Sequence, residues 1–260
     1  MKVWITGASS GIGEACAYRY AAQGASLVLT SSSMEKLEKV AAECIRRGAA
    51  ATAVLPYDLQ DPEGIRDLAG KAWEVHSGID VLLLNAGVSQ RTNVEDTSMG
   101  MIRKLMEINY FAPVAIAKAI LPLMLSAGGG KIAVTTSIAG KFGFPLRCGY
   151  SSSKFALYGF FETLRAEYGS RGIDVTIICP GRVRTNISFN ALDKGGSKYG
   201  KMDPGQEGGL DVTKAAARIV GAIEKGKREV LVGKKELLMV YIKRFFPGLC
   251  ARLSKNLKPV

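Results

Sequence analysis

Short apolar runs alternate along this chain with stretches in which apolar residues recur every three or four positions. The runs predict strands over residues 2–6, 26–30, 51–55, 79–84, 131–136, 173–178 and 229–232. The stretches predict helices over 11–23, 33–47, 62–76, 99–126, 151–170 and 212–225. Several runs, among them Asp80-Val-Leu-Leu-Leu84 and Asp174-Val-Thr-Ile-Ile178, are nearly continuously apolar. Strands of that kind are covered on both faces, so the pattern implies an α/β fold, a doubly wound sheet of seven mostly parallel strands flanked by helices. Right-handed crossovers then set the winding.

Two segments fall outside the alternation. Residues 186–211, with Lys194-Gly-Gly-Ser-Lys-Tyr-Gly-Lys201 and Asp203-Pro-Gly205, read as a long substrate loop of the lid kind. Residues 1–232 then form the domain and 233–260 an amphipathic extension. In the extension the apolar block Leu237-Leu-Met-Val-Tyr-Ile242 and Phe245-Phe246 is broken by Lys243 and Arg244. After Pro247, Leu249, Leu253 and Leu257 recur every four residues, while Arg252, Lys255 and Lys258 take other faces. A basic amphipathic segment over 237–258 suits peripheral contact with an anionic bilayer. A pocket cover or protein contact is the competing reading.

With 260 residues, 47% of them hydrophobic and 22% charged, the chain is sized for a single globular domain. Its formal charge of +12 is unevenly placed: residues 225–260 hold ten Lys or Arg against Glu229 and Glu236, which is +8 of the total. The basicity belongs to the tail and comes with no recognition motif, so it argues against nucleic acid as a partner. Strand-type sequence starts directly after Met1, so no signal peptide or N-terminal anchor is expected. The apolar runs are shorter than the roughly 20 residues of a membrane span. Cys16, Cys44, Cys148, Cys179 and Cys250 are scattered with no C-x-x-C pair, which fits reduced thiols and a cytoplasmic setting. His76 is the single histidine and reads as a helix-end residue, which leaves Ser-His-Asp catalysis little to draw on and excludes a histidine-rich metal site.

Thr6-Gly-Ala-Ser-Ser-Gly-Ile-Gly13 joins the first strand to the first helix. Glycines there permit a tight turn and let backbone N–H groups at the helix start approach a pyrophosphate; the same turn also has a purely structural reading. Asp58 follows the third strand and Asn85-Ala-Gly87 the fourth, at the carboxyl ends where open α/β sheets bind ligands. In Tyr150-Ser-Ser-Ser-Lys154 the four-residue spacing puts a phenol and an ammonium on one helix face, where the cation is expected to lower the phenol pKa. Alone, that spacing is common on solvated helices. Ser137, just past the fifth strand, supplies a hydroxyl for a carbonyl oxygen that Tyr150 protonates. Asn109, polar within the apolar run Ile108-Asn-Tyr-Phe-Ala112, needs its buried amide satisfied, for which a water-mediated path to the lysine is expected.

Taken in order, Thr6 to Gly13, Asp58, Asn85 to Gly87, Asn109, Ser137, Tyr150 to Lys154 and Pro180-Gly-Arg-Val-Arg-Thr185 resemble the short-chain dehydrogenase/reductase family over about residues 1–232. Position 84 is Leu where the family often has a second Asn. The resemblance implies a Rossmann-type sheet, an NAD(P)-linked oxidoreductase and the catalytic set Asn109, Ser137, Tyr150 and Lys154. Tyr150 would be the acid or base, Ser137 would hold the substrate oxygen, Lys154 would bind the nicotinamide ribose and Asn109 would position a water. The implied cofactor residues are Gly7, Ser9, Ser10, Gly11, Ile12, Gly13, Ser31, Ser32, Asp58, Leu59, Asn85, Ala86, Gly87, Tyr150, Lys154, Pro180, Gly181, Val183 and Thr185. Asn109-Tyr-Phe-Ala-Pro-Val114, Tyr199-Gly-Lys-Met-Asp203 and the basic tail further resemble the branch of 11β-hydroxysteroid dehydrogenase-like enzymes. That branch implies a homodimer or homotetramer and a lipophilic ketone, of the acyl or alkyl dihydroxyacetone phosphate, keto-lipid or steroid kind.

Family members that prefer NAD carry an acidic residue at the end of the second strand, and an Arg just beyond it holds the NADP phosphate. Those positions are Ser31 and Ser32 here, so both readers are missing. No carboxylate opposes a phosphate, which favours NADP(H) over NAD(H). Ser32-Ser-Met-Glu35 also matches a helix capping box, with Ser32 as the cap. For the substrate, Ser137, Phe142, Phe144, Arg147 and Tyr150 are the expected contacts, with Ser89-Gln-Arg91 and the 186–201 loop as further walls. Arg91, Arg147, Lys194, Lys198 and Lys201 either meet an anion or are simply solvated. A dinucleotide-binding regulatory protein without turnover is the alternative function.

Overall fold

The computed structural model describes residues 1–255. Seven strands form one sheet, β1 (Lys2–Thr6), β2 (Ser26–Thr30), β3 (Ala51–Val54), β4 (Val81–Leu84), β5 (Gly130–Thr135), β6 (Ile173–Pro180) and β7 (Glu229–Val232). Their order is β3-β2-β1-β4-β5-β6-β7 and every pairing is parallel. The chain winds outward from β1 in one direction and from β4 in the other. That reversal opens a crevice at the carboxyl ends of these two strands.

The apolar strand runs are explained by two cores. Val3, Ile5, Leu27, Leu29 and Leu83 face α1 (Gly11–Ala21), α2 (Met34–Arg46) and a C-terminal helix that contributes Ile219 and Ile223. Trp4, Val28, Leu82 and Leu84, the intervening residues, face α3 (Ile65–Val75) and the helices bearing Ile116, Ile120, Leu157 and Phe161. Period-two strands with both faces buried must be apolar at every position. His76 caps the C-terminus of α3 as expected, its Nε2 3.2 Å from the Leu27 carbonyl.

The long helix expected over 99–126 is present but not uniform: α4 (Met99–Met106) passes through a π-helical turn, Glu107–Phe111, into α5 (Ala112–Ser126). By length and apolar composition this stretch could cross a bilayer, contrary to the expectation that no segment approaches that criterion. Ala112, Ile116, Ala117, Ile120 and Met124 are fully buried against the sheet, which marks it as a core helix. Next, α6 (Cys148–Tyr168) starts three residues earlier than its periodicity suggests, so Tyr150 lies inside the first turn. The loop after β6 holds the short α7 (Pro204–Glu207) and leads to α8 (Val212–Glu224), which supplies Ile219 and Ile223. It is packed, with Ser188, Ala191, Leu192 and Asp203 buried. The tail forms α9 (Leu238–Phe245) and α10 (Pro247–Lys255); Leu257 and Lys258 lie outside the described residues.

Candidate active site

Gly7 and Gly11 have φ of 65° and 59°, in the left-handed region that a side chain disfavours. A Cβ on Gly7 would sit 2.7 Å from Ala86 Cα, and one on Gly13 would overlap the Gly7 carbonyl oxygen. The turn is therefore drawn onto the end of β4. Thr6 Oγ1 fixes the junction by accepting the N–H groups of Asn85 (3.0 Å) and Ala86 (3.2 Å). Ser10 stands at the N-cap of α1 but makes no side-chain cap bond, so the first N–H groups of the helix remain available to an anion.

This junction opens into a cavity of about 370 Å³ that reaches from Ser31, Ser32 and Asp58 to Ser137, Tyr150 and Lys154. Of the expected cofactor residues, only Gly13 is missing from its lining. At the far end the capping expectation needs correction. Ser33, not Ser32, is the N-cap of α2 and accepts from Lys36 N at 3.5 Å. Ser31 is committed as well, its Oγ accepting the Ser33 N–H at 3.3 Å. Ser32 is thus the exposed hydroxyl facing the cavity without a capping task. Asp58 is exposed four residues past β3, and its carboxylate accepts from Gln60 N at 3.0 Å.

At the other end, Gln90 Oε1 accepts the N–H groups of Gly149 (2.9 Å) and Tyr150 (3.2 Å) and so anchors the start of α6. One turn on, Lys154 is 3% exposed and donates to the Thr135 carbonyl at 2.9 Å. An ammonium has three donors, and Lys154 lines the cavity, so buried donors face the space where a ribose would lie. Burial pulls Lys154 down to about 7. The expected lowering of the Tyr150 phenol by Lys154 is not what this arrangement produces. Burial raises the phenol pKa, while hydrogen bonding with Ser137 and the charges of Arg147 and Arg91 act against it. Lys154 Nζ stands 5.9 Å from the Tyr150 ring centre.

Asn109 sits in the π turn with its amide satisfied by protein atoms, so the expected water is not needed for that purpose. Its Oδ1 accepts Val88 N at 2.8 Å, and its Nδ2 donates to Val88 O and Ser153 Oγ, both at 3.0 Å. Ser153 in turn donates to the Tyr150 carbonyl at 2.8 Å, which ties Asn109 to the first turn of α6. Ser137 Oγ accepts from Ala139 N at 3.1 Å and lines the cavity beside Tyr150.

On the substrate side the expectations divide. Arg91 and Arg147 line the cavity, as do Ser137 and Tyr150. Phe142 does not: it is 3% exposed in a small core with Ile138, Cys179 and Cys250, covered by Met239, Val240 and Ile242 of α9. Phe144 stacks on Phe142 and borders only a side cavity of about 40 Å³. Lys194 is exposed and pairs with Asp96 at 2.6 Å, away from the cavity, and Lys198 and Lys201 are exposed. Thr135 was not named in the sequence, and Thr6, Gln90 and Asp203 were named only within longer stretches, without the anchoring contacts they make here. For Thr6 and Thr135 the available signal was a polar residue at the carboxyl end of a strand.

The residues fit a dinucleotide: glycines that bring backbone to the cavity wall, uncapped helix-start N–H groups, and a buried lysine with donors to spare. Comparison with known proteins agrees. The family model described as short chain dehydrogenase matches residues 1–194. Dehydrogenase/reductase SDR family member 7B of Mus musculus is 40% identical over 258 residues, 98% of this chain and 80% of that protein. The 7-like protein of Drosophila melanogaster is 36% identical over 93% of this chain and 75% of its own. Among solved structures, an alcohol dehydrogenase from Thermococcus sibiricus complexed with 5-hydroxy-NADP superposes with a TM-score of 0.76 at 28% identity, over 90% of this chain and 96% of that one. A short-chain dehydrogenase from Streptomyces avermitilis gives 0.81 at 29% identity, over 98% and 95%.

Proposed function

The chain belongs to the short-chain dehydrogenase/reductase family and is an NAD(P)-linked oxidoreductase, and on that premise we propose that it interconverts a ketone and a secondary alcohol on a lipophilic substrate with NADP(H). The observation that carries this reading is that Ser137, Tyr150 and Lys154 line the same cavity as the glycine turn. A bound nicotinamide supplies or accepts the hydride. Ser137 orients the substrate oxygen, and Tyr150 gives it a proton in reduction or takes one in oxidation. The buried phenol is held in its protonated form, which is the form reduction requires. Lys154 offers its free donors to the ribose hydroxyls, and Asn109 holds the first turn of α6 in register through Ser153.

Preference for NADP(H) is supported by the serine corner, where β2 ends without a carboxylate and Ser32 has a free hydroxyl. A lipophilic substrate is supported by Val88, Ile108 and Ile187 in the cavity lining. With a panel of ketones, NADPH is expected to exceed NADH by about tenfold in kcat/KM, the worth of one hydrogen bond from a hydroxyl to a charged phosphate. Long-chain keto lipids, acyl dihydroxyacetone phosphate among them, are expected to outpace short polar ketones. Equal rates with both cofactors, or with both ketone classes, would remove the corresponding half of the proposal.

The tail belongs to the same reading. Leu238, Tyr241, Phe245 and Leu249 are exposed on α9 and α10, as is Phe246 at their junction, beside Lys243, Arg244, Arg252 and Lys255. Apolar and basic surface in that combination suits the interface of an anionic membrane. Flotation with phosphatidylserine vesicles is expected for the whole chain and is expected to be lost on Phe245→Ser with Phe246→Ser. Equal recovery of both proteins sinks the membrane contact. Point changes are the proper comparison because Glu236, at the tail's root, accepts the Arg182 N–H at 2.8 Å, and truncation would disturb the cofactor loop.

A further inference from the structure

Tyr150, Lys154 and Tyr158 follow one another at four-residue spacing and form a single stripe along α6. Each meets one of three consecutive residues at the end of β5. Tyr150 hydrogen-bonds with Ser137, Lys154 donates to the Thr135 carbonyl, and the Tyr158 hydroxyl lies 3.2 Å from Thr136 Oγ1. The first two contacts face the reaction, and the third lies behind it. Thr136 lines the cavity between Thr135 and Ser137, whereas Tyr158 does not reach it.

Tyr158 is held from the outside. Its hydroxyl donates to Glu229 Oε1 at 2.8 Å, and Lys141 Nζ pairs with the same oxygen at 2.8 Å while standing 3.8 Å from the centre of the Tyr158 ring. Burial raises the phenol pKa, so the proton stays on and goes to the carboxylate. The lone pairs of the hydroxyl then face Thr136, whose Oγ1 also donates to the Ile178 carbonyl at 2.8 Å. Thr136 and Lys141 lie on either side of Ser137 in the chain, and both end on the pair Tyr158 and Glu229. Between them the short helical turn Ile138–Gly140 lies directly against α6: a Cβ on Gly140 would be 2.8 Å from the Lys154 carbonyl oxygen and 3.2 Å from Tyr158 Cε2. Ser137 therefore belongs to a segment clamped at both ends to a tyrosine about two turns past Tyr150 on the same helix. Any slip of that segment along α6 changes the gap between the Ser137 and Tyr150 hydroxyls.

We propose that Tyr158, backed by Glu229 and Lys141, is a positioning residue that fixes Ser137 against Tyr150 for proton transfer. This role rests on those given to Ser137 and Tyr150 above, and Tyr158 itself touches neither substrate nor cofactor. Tyr158→Phe removes one hydroxyl and leaves Thr136 its bond to Ile178 and Glu229 its pairing with Lys141, so the fold is expected to survive. The test is ketone reduction with NADPH, with kcat counted per titrated NADPH site so that misfolded protein does not enter. For Tyr158→Phe, kcat is expected to fall about 10- to 100-fold, the scale on which a misplacement of about 1 Å acts, with KM and NADPH affinity staying close to wild type. Glu229→Gln keeps an acceptor for the hydroxyl and is expected to retain most of the rate that Glu229→Leu loses. Tyr158→Phe combined with Glu229→Leu is expected to be no slower than Tyr158→Phe alone, because both act through one contact. A per-site kcat close to wild type, parallel losses of kcat and NADPH affinity, a Glu229→Gln as slow as Glu229→Leu, or additive losses in the double variant would each overturn the role. Should the wild type reduce no ketone, or Tyr150→Phe stay active, the reaction proposed above fails, and crystals of wild type and Tyr158→Phe with NADP⁺ decide the positioning. A Ser137 hydroxyl drawn away from Tyr150 in the variant then keeps it, and an unmoved one overturns it.

Discussion

Tyr150→Phe is expected to lower ketone reduction by roughly 10³-fold, within the range general acid catalysis contributes. Tyr150 is 7% exposed and its main-chain N–H is anchored by Gln90, so phenylalanine keeps the ring's packing and the helix start. Only the hydroxyl beside Ser137 is lost. NADPH binding, followed by fluorescence titration, is expected to stay within a few-fold of wild type, since the glycine turn, the serine corner and Lys154 are untouched. Retention of more than a tenth of the activity would place the proton donor elsewhere. A parallel loss of cofactor affinity would make Tyr150 a binding group instead. A dinucleotide-binding protein without turnover would show no rate to lose.

Lys154→Met is expected to change the pH dependence of stability. In the unfolded chain a lysine keeps its proton to about pH 10.4. In the folded protein burial lets it go at about 7. Between these values unfolding takes up a proton, so stability rises with pH, by at most about 1.4 kcal/mol per pH unit. Below about 7 both states are protonated, the slope vanishes and the burial penalty is present in full. Urea midpoints between about pH 7 and 9 are expected to climb more steeply for wild type than for Lys154→Met, by up to one proton's worth of slope. Buried tyrosines such as Tyr20 and Tyr158, whose pKa values are raised, act with the opposite sign at higher pH and are common to both proteins. Superimposable slopes would mean that Lys154 keeps its proton when buried. The same substitution removes the ribose donors, so NADPH affinity is expected to fall with it.

What the chain discloses before folding follows from how far each property depends on neighbours in space. The sheet was legible because Leu82 and Leu83 face different cores and both must be apolar. Most of the cavity lining was legible because strand order alone brings the ends of β1 and β4 together. The capping error was a shift of one residue: Ser32 and Ser33 both precede a helix-forming stretch, and only the phase of α2 selects between them. Phe142 was misplaced because an apolar side chain announces burial without saying what covers it, and the cover is a tail more than ninety residues away. The four-residue spacing of Tyr150 and Lys154 was read correctly as proximity. It says nothing about depth, and depth dominates both pKa values.

Glu236 sits between two parts of the molecule. The same Oε1 that accepts the Arg182 N–H in the loop after β6 accepts the Lys234 N–H, just before α9 begins. One carboxylate oxygen thereby joins the seat of the tail to the loop that follows β6. Free energies coupled through a shared contact are reciprocal. By whatever factor a docked tail tightens the grip on the dinucleotide, the dinucleotide tightens the docking of the tail, and a surface that competes for α9 and α10 competes, to the same extent, with the cofactor.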